Sequence, residues 1–160
     1  MNHTQQLAKH FREVHSGGNW TWSNLQENLK DVTWEEAVTK VQGFNTIAAL
    51  AYHIHYFVAV ALKVLQGGPL IGKDSESFDH PPVESEKDWQ QLLGKMWADA
   101  QSFADALEKL LDEKLFETFG QEKYGTYYRN MLGIIEHSHY HLGQIALIKK
   151  MVRKAREASE

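Results

Sequence analysis

Apolar residues recur every three or four positions through four long stretches of this chain, and no stretch shows the strict alternation of a strand. The chain is therefore expected to be helical throughout. The first helix is expected to start at Thr4 as N-cap and to run through Leu7, Phe11 and Val14 until Gly17 and Gly18 stop it. NWTWSNLQENL then resumes with Trp20, Trp22, Leu25 and Leu29 as buried candidates. In TWEEAV, Thr33 and Glu36 have the spacing of a capping box around one short helical turn. The second long helix is expected after Asn45 as cap, with Ile47, Leu50, Ile54, Phe57, Ala61 and Val64 at helical spacing and Gly67–Gly68 as its end. The third opens at Ser85, with Asp88 three residues on, and carries Trp89, Leu92, Met96, Phe103, Leu107 and Leu110. A link over roughly 112–125 leads to the fourth, marked by Ile134, Leu142, Ile145, Ile148 and Val152 and expected to fray in the basic tail KKMVRKAREASE. Four amphipathic helices without strands predict an all-α four-helix bundle, one domain over residues 1–160. The connection over 67–84 holds all three prolines; a link that long is either a crossover or a functional lid.

Bulk properties exclude several functions. A net charge of -4 argues against nucleic-acid binding, which needs a basic face. The absence of cysteine removes disulfides, zinc ribbons and cysteine nucleophiles together. No run is read as a membrane span, and the first residues lack the apolar stretch of a signal peptide, so the expected location is the cytoplasm.

The nine histidines are unevenly spread: two fall in AYHIHY and three in EHSHYH. His137 and His141 are one turn apart on a helix wheel, about 40° from each other, and can reach a single ion. Their direction passes through Asn130, Ile134 and Ile148, so they point where the apolar residues point. His53 shares a face with Leu50, Phe57 and Val64. His139 lies about 160° from the pair and His55 about 200° round from His53, so neither is expected to be a ligand. A lone histidine on an apolar face is usually a hydrogen-bonded core residue. A pair at i, i+4 facing a third histidine is harder to explain that way, because each buried imidazole needs partners. Three neutral imidazoles form a ligand set that leaves a coordination position open. One divalent ion is expected, with ring nitrogens about 2.0–2.2 Å away; zinc is the default, and imidazole also suits nickel and other first-row ions. Two rival motifs fail. HSHYH lacks the glutamate of HExxH, and Glu136 with His139 is the single outward-facing Glu-x-x-His pair where a di-iron bundle needs two.

These residues resemble the DinB/YfiT-like metalloenzyme family. The likeness spans nearly the whole chain and rests on GGNWTWSNLQENL, VTWEEA, NTIAALAYHIHY and above all HSHYHLGQI. It implies a four-helix bundle, often dimeric, in which a lone histidine of the second helix and an HxxxH pair followed by a GQ ending bind a divalent metal. Those positions fall on His53, His137, His141, Gly143 and Gln144. Characterised relatives in such a family include S-transferases and isomerases that use bacillithiol, mycothiol or glutathione. The resemblance thus implies a small-molecule thiol as partner and a homodimer, while charge and hydropathy point to no nucleic acid or membrane partner.

Three further residues are candidates for a substrate pocket or for supporting the ligands. Asn130 shares the wheel direction of the histidine pair, about 10 Å along the axis from His137. It either lines a wet pocket or bonds the backbone. Tyr127 lies about 60° and Gln144 about 40° off that direction. Gln144 either orients a ligand or joins two helices. Three readings stay open at this point: a metal-dependent enzyme, such as a thiol S-transferase or a hydrolase-like metalloenzyme; a non-catalytic, stress-associated metal-binding bundle; and a plain structural bundle with core histidines.

Overall fold

The computed structural model describes residues 1–158. It contains six α-helices: α1 (His3–Ser16), α2 (Leu25–Leu29), α3 (Trp34–Val38), α4 (Ile47–Leu65), α5 (Glu86–Glu108) and α6 (Tyr127–Glu157). No strand occurs among the described residues; a lone antiparallel bridge joins Thr118 to Thr126. The four long helices pack in a closed ring in which α1 and α4 each touch both α5 and α6. The short α2 and α3 cover one end, against α1, α4, α5 and α6.

Local chemistry sets the helix starts. Asn2, not Thr4, caps α1: its side chain accepts from the Gln5 amide, and the Gln5 side chain accepts from the Asn2 amide. Thr4 lies inside the helix because Asp112, from the far link, already satisfies the first-turn N–H groups of His3 and Thr4. The Thr4 hydroxyl can then turn to the Leu110 carbonyl, 3.1 Å away. Thr46, one residue beyond the expected Asn45, caps α4 by accepting from the Ala49 amide. The expected capping box at Thr33 and Glu36 and the cap at Ser85 both form. At the end of α1, Gly17 adopts a φ of 111°, a region that penalises other residues, while its N–H still reaches the Glu13 carbonyl.

Two further expectations fail. Trp20 and Trp22 are 93% and 92% exposed rather than buried. Asn19 occupies the inward side of their loop: its amide donates to the carbonyls of Glu13 and Ser23, and its oxygen accepts from Thr21. Backbone bonding therefore outranks aromatic burial in this turn, and Leu25 and Leu29 carry the apolar contact instead. The basic tail does not fray over its described residues; Ser159 and Glu160 lie outside them. Helix α6 continues to Glu157, and Lys149 and Arg153 both bond Asp31, with Arg153 also gripping Glu36.

The core is divided. One cluster joins Phe11, Val58, Phe103, Leu107, Met131 and Ile135, and the other joins Leu25, Ile54, Trp89, Met96, Leu142 and Ile145. The break falls after Ile54 on α4, after Met96 on α5 and between Ile135 and Leu142 on α6. Polar residues of the interior gather at that level: His53, His55, Asp99, Ser138 and His141. Helix α4 is long and apolar enough, by length and composition, to cross a membrane, yet 67% of its most apolar 18-residue stretch is buried within the bundle. Its apolarity is that of a core helix packed on two sides.

Phe103 is fully buried against Phe11, with ring centroids 4.5 Å apart. Phe103→Ala should lower the unfolding free energy by about 3–5 kcal/mol, whereas Trp20→Ala should change it by less than about 0.5 kcal/mol. Urea denaturation of both variants measures the contrast; equal effects would show that the exposed loop is packed in solution.

Candidate metal centre

The break in the core brings three imidazoles together. His53 comes from α4, and His137 and His141 come from adjacent turns of α6. One ligand atom from each lies within 4.8 Å of the others, and the ring centroids stand 4.5–4.7 Å apart. His53 and His141 are buried and His137 is half-buried. Phe57 packs edge-on against both His53 and His137, and Phe78 stacks flat on His53 at 4.0 Å.

Hydrogen bonds settle which nitrogens face inward. The Ser77 hydroxyl donates to the Asp74 carbonyl, 2.6 Å away, so towards His53 it can only accept. The His53 Nδ1, 2.9 Å from that hydroxyl, therefore carries the hydrogen. At His141 the partner of Nδ1 is the Gln144 amide oxygen at 2.7 Å, a pure acceptor, so this Nδ1 is also protonated. Both rings thus present bare Nε2 lone pairs to the centre. The His137 Nε2 lies 2.9 Å from the His53 Nε2. Two imidazole nitrogens on one ion at the usual bond length stand about 2.8–3.4 Å apart for right-angled to tetrahedral arrangements, so this spacing suits a shared ion. The donor set is neutral, convergent and partly oriented, and the residues present fit a divalent metal.

Burial also keeps these rings neutral. It pushes the His137 pKa down to about 4, and the neighbouring His141 and His53 push the same way. Burial lowers the pKa of His53, helped by His141 and opposed by the bond to Ser77 and by Asp74. Burial lowers that of His141 too, against the bond to Gln144.

A cleft of about 490 Å³ opens over the triad. Asp74, Arg129, Asn130 and Tyr140 form its rim. Asn130 combines both of its expected roles: it lines the cleft, and its amide nitrogen donates to the carbonyls of Tyr124 and Thr126. Gln144 meets His141 directly. Tyr127 departs from the pocket reading: it is buried in the core against Phe119, with ring centroids 5.0 Å apart, and does not line the cleft. Its offset on the wheel turns it toward the link that precedes α6. His55 and His139 stay outside the triad. His55 bonds Asp99 on the other side of α4, and the His139 ring lies 6.1 Å from that of His10. Sequence reasoning missed Asp74, Ser77 and Phe78, which the connection over 67–84 folds back onto His53. Only their place in a long polar link hinted at a role.

A family model described as the DinB superfamily matches residues 19–145, most of the chain and all three histidines. The chain belongs to the DinB superfamily. No curated protein and no solved structure matches it. The matched residues include His53 of α4 and the His137 and His141 pair of α6, which form the cluster.

The depressed pKa values have a pH consequence. His137 titrates near 4 in the folded chain and near 6.5 when ordinarily solvated, so the unfolded chain binds more protons between those values. In metal-free protein this contribution to stability is intact above about pH 6.5 and is lost progressively as the pH falls toward 4. His15, buried and also held near 4, acts in the same direction. Urea midpoints measured at pH 7 and pH 5 should fall on acidification, and His137→Leu should reduce that fall. An unchanged pH dependence in the variant would show that His137 is solvated.

Proposed function

We propose that this DinB-superfamily protein binds one divalent ion, zinc or nickel, through His53, His137 and His141, and acts as a transferase for a low-molecular-weight thiol. The observation that carries the reading is the pair of fixed tautomers: Ser77 and Gln144 hold two rings so that their bare nitrogens meet at the foot of an open cleft. A plain core histidine has no need of such orientation. The bound ion would favour thiolate over thiol and so supply a nucleophile at neutral pH. The chain has no cysteine, which fits a nucleophile that arrives with the substrate.

The remaining roles fall to the protein's own side chains. Arg129, at the rim, has no ion-pair partner among the described residues and is suited to a carboxylate on the thiol substrate. Asp74 is the one carboxylate lining the cleft and is suited to accept the proton as the S–H bond ionises. The sulfur–carbon bond then forms as the electrophile's leaving group departs. Phe57 lines the cleft edge-on to His53 and His137, and Phe78 covers one face of the His53 ring. The open cleft favours this reading over a stress-associated bundle in which the metal only ties helices together. We place the protein in the cytoplasm as a homodimer; the exposed Trp20, Trp22, Leu111 and Phe116 offer apolar surface for a second subunit.

Metal analysis of untagged protein should give one ion per chain. His137→Ala should abolish it and His139→Ala should leave it intact. Gln144→Leu should weaken binding about 10–100-fold. Assays with several low-molecular-weight thiols should show metal-dependent transfer that is lost in His137→Ala, and sedimentation of the same sample should give a dimer mass. Stoichiometric metal without transfer to any electrophile would return the protein to the non-catalytic reading.

A further inference from the structure

A larger cavity, about 800 Å³, lies on the face of α4 turned away from the histidine triad. It is within the range of roughly 300–1,000 Å³ usual for small-molecule sites. Tyr52 and Tyr56 of α4, Leu92 of α5 and Pro81–Val83 of the long connection supply its aromatic and apolar walls.

Its polar groups are specific. His55 is 6% exposed, and its Nε2 stands 2.7 Å from an Asp99 carboxylate oxygen. A carboxylate accepts, so Nε2 carries the hydrogen and Nδ1 is the ring atom left for a ligand. That Nδ1 bonds nothing among the described residues. It is also not sealed in, because the one sealed, unpartnered side-chain polar atom among the described residues is His15 Nε2. The His55 Nδ1 therefore opens on the cavity that the residue lines. Lys63 and Lys95 also line it, and neither has an ion-pair partner among the described residues. The acids of the wall are already engaged: Asp99 by His55, and Asp88 by the Ser85 hydroxyl and the Glu84 amide. Lys63 and Lys95 are therefore the charged groups of the wall that no other described residue bonds.

We propose that this cavity is a second binding site, for a small aromatic carboxylate that bears a hydroxyl group. The ring packs against Tyr52, Tyr56 and Leu92. The carboxylate meets Lys63 and Lys95, and the hydroxyl, which can donate or accept, bonds the His55 Nδ1. The inference uses none of the three triad histidines and does not rest on the metal reading.

The test is calorimetric titration of the full chain with 4-hydroxybenzoate, with benzoate in parallel. A carboxylate can also meet an ion in the triad, so the titrations are repeated on chelator-treated protein and on His137→Ala. The expected result is saturable one-to-one binding that persists in both, with benzoate weaker by about tenfold because the imidazole nitrogen stays unpaired. Lys95→Glu, an exposed position that should not disturb folding, is expected to weaken binding at least tenfold. Ala59→Trp, which fills the cavity from α4, is expected to abolish it. Three results would overturn the proposal: no saturable binding at millimolar ligand, binding that vanishes with the metal, or binding unchanged in both cavity variants. A shift in sedimenting mass in Ala59→Trp without ligand binding to the parent protein would assign the surface to a second copy of the chain and also overturn it.

Discussion

Everything in this bundle is arranged around the burial of three imidazoles between two apolar clusters. A buried ring nitrogen without a partner is costly, and three rings, two buried and one half-buried, converge here from two helices. The protein answers with specific acceptors. Ser77 takes the N–H of His53 and Gln144 takes that of His141, which leaves on each ring a lone pair that only a donor, such as an N–H of His137, or an ion can use. Burial keeps the rings neutral, which is the state that coordinates. The same forces that make the cluster awkward for folding thus make it suitable for a metal.

The connection over 67–84 gains its meaning from this demand. It is long because it must wrap α4. Its short helical turn, Asp74–Glu76, leads directly to Ser77 on the triad side, and Pro81–Val83 then passes to the other side over the larger cavity. Tyr56 ties the segment down: its hydroxyl accepts from the Lys73 amide and donates to Glu76. His53 and His55 are two residues apart on α4 and so face opposite ways, each with a partner from a different part of the chain. One helix therefore presents a polar face to each of two cavities while its remaining surface builds both apolar clusters.

Helical periodicity made much of this legible beforehand. The four long helices, the capping box at Thr33 and the inward faces of His53, His137 and His141 follow from spacing alone, because the wheel positions of apolar and polar residues are local properties. Errors arose where a distant group decided the outcome. Thr4 lost its capping role to Asn2 because Asp112 reaches the same turn from the far link. Trp20 and Trp22 are apolar enough to be buried, but Asn19 takes the inward place by bonding three segments of backbone. Tyr127 is near enough to the ligand direction to suggest a pocket residue, yet Phe119, in the preceding link, claims it. Asp74, Ser77 and the pairing of His55 with Asp99 join residues at least twenty positions apart and carry no periodic signal.

The central claim is that three neutral imidazoles hold one ion and leave part of its coordination to small molecules. X-ray absorption spectroscopy at the edge of the copurified metal tests this most directly. The account predicts scattering from three imidazole rings, at about 2.0–2.1 Å for zinc, together with light atoms that exchange when a thiol is added and are replaced by sulfur. A metal shell made wholly of protein ligands and indifferent to thiol, or no bound metal in protein purified without chelator, would contradict it.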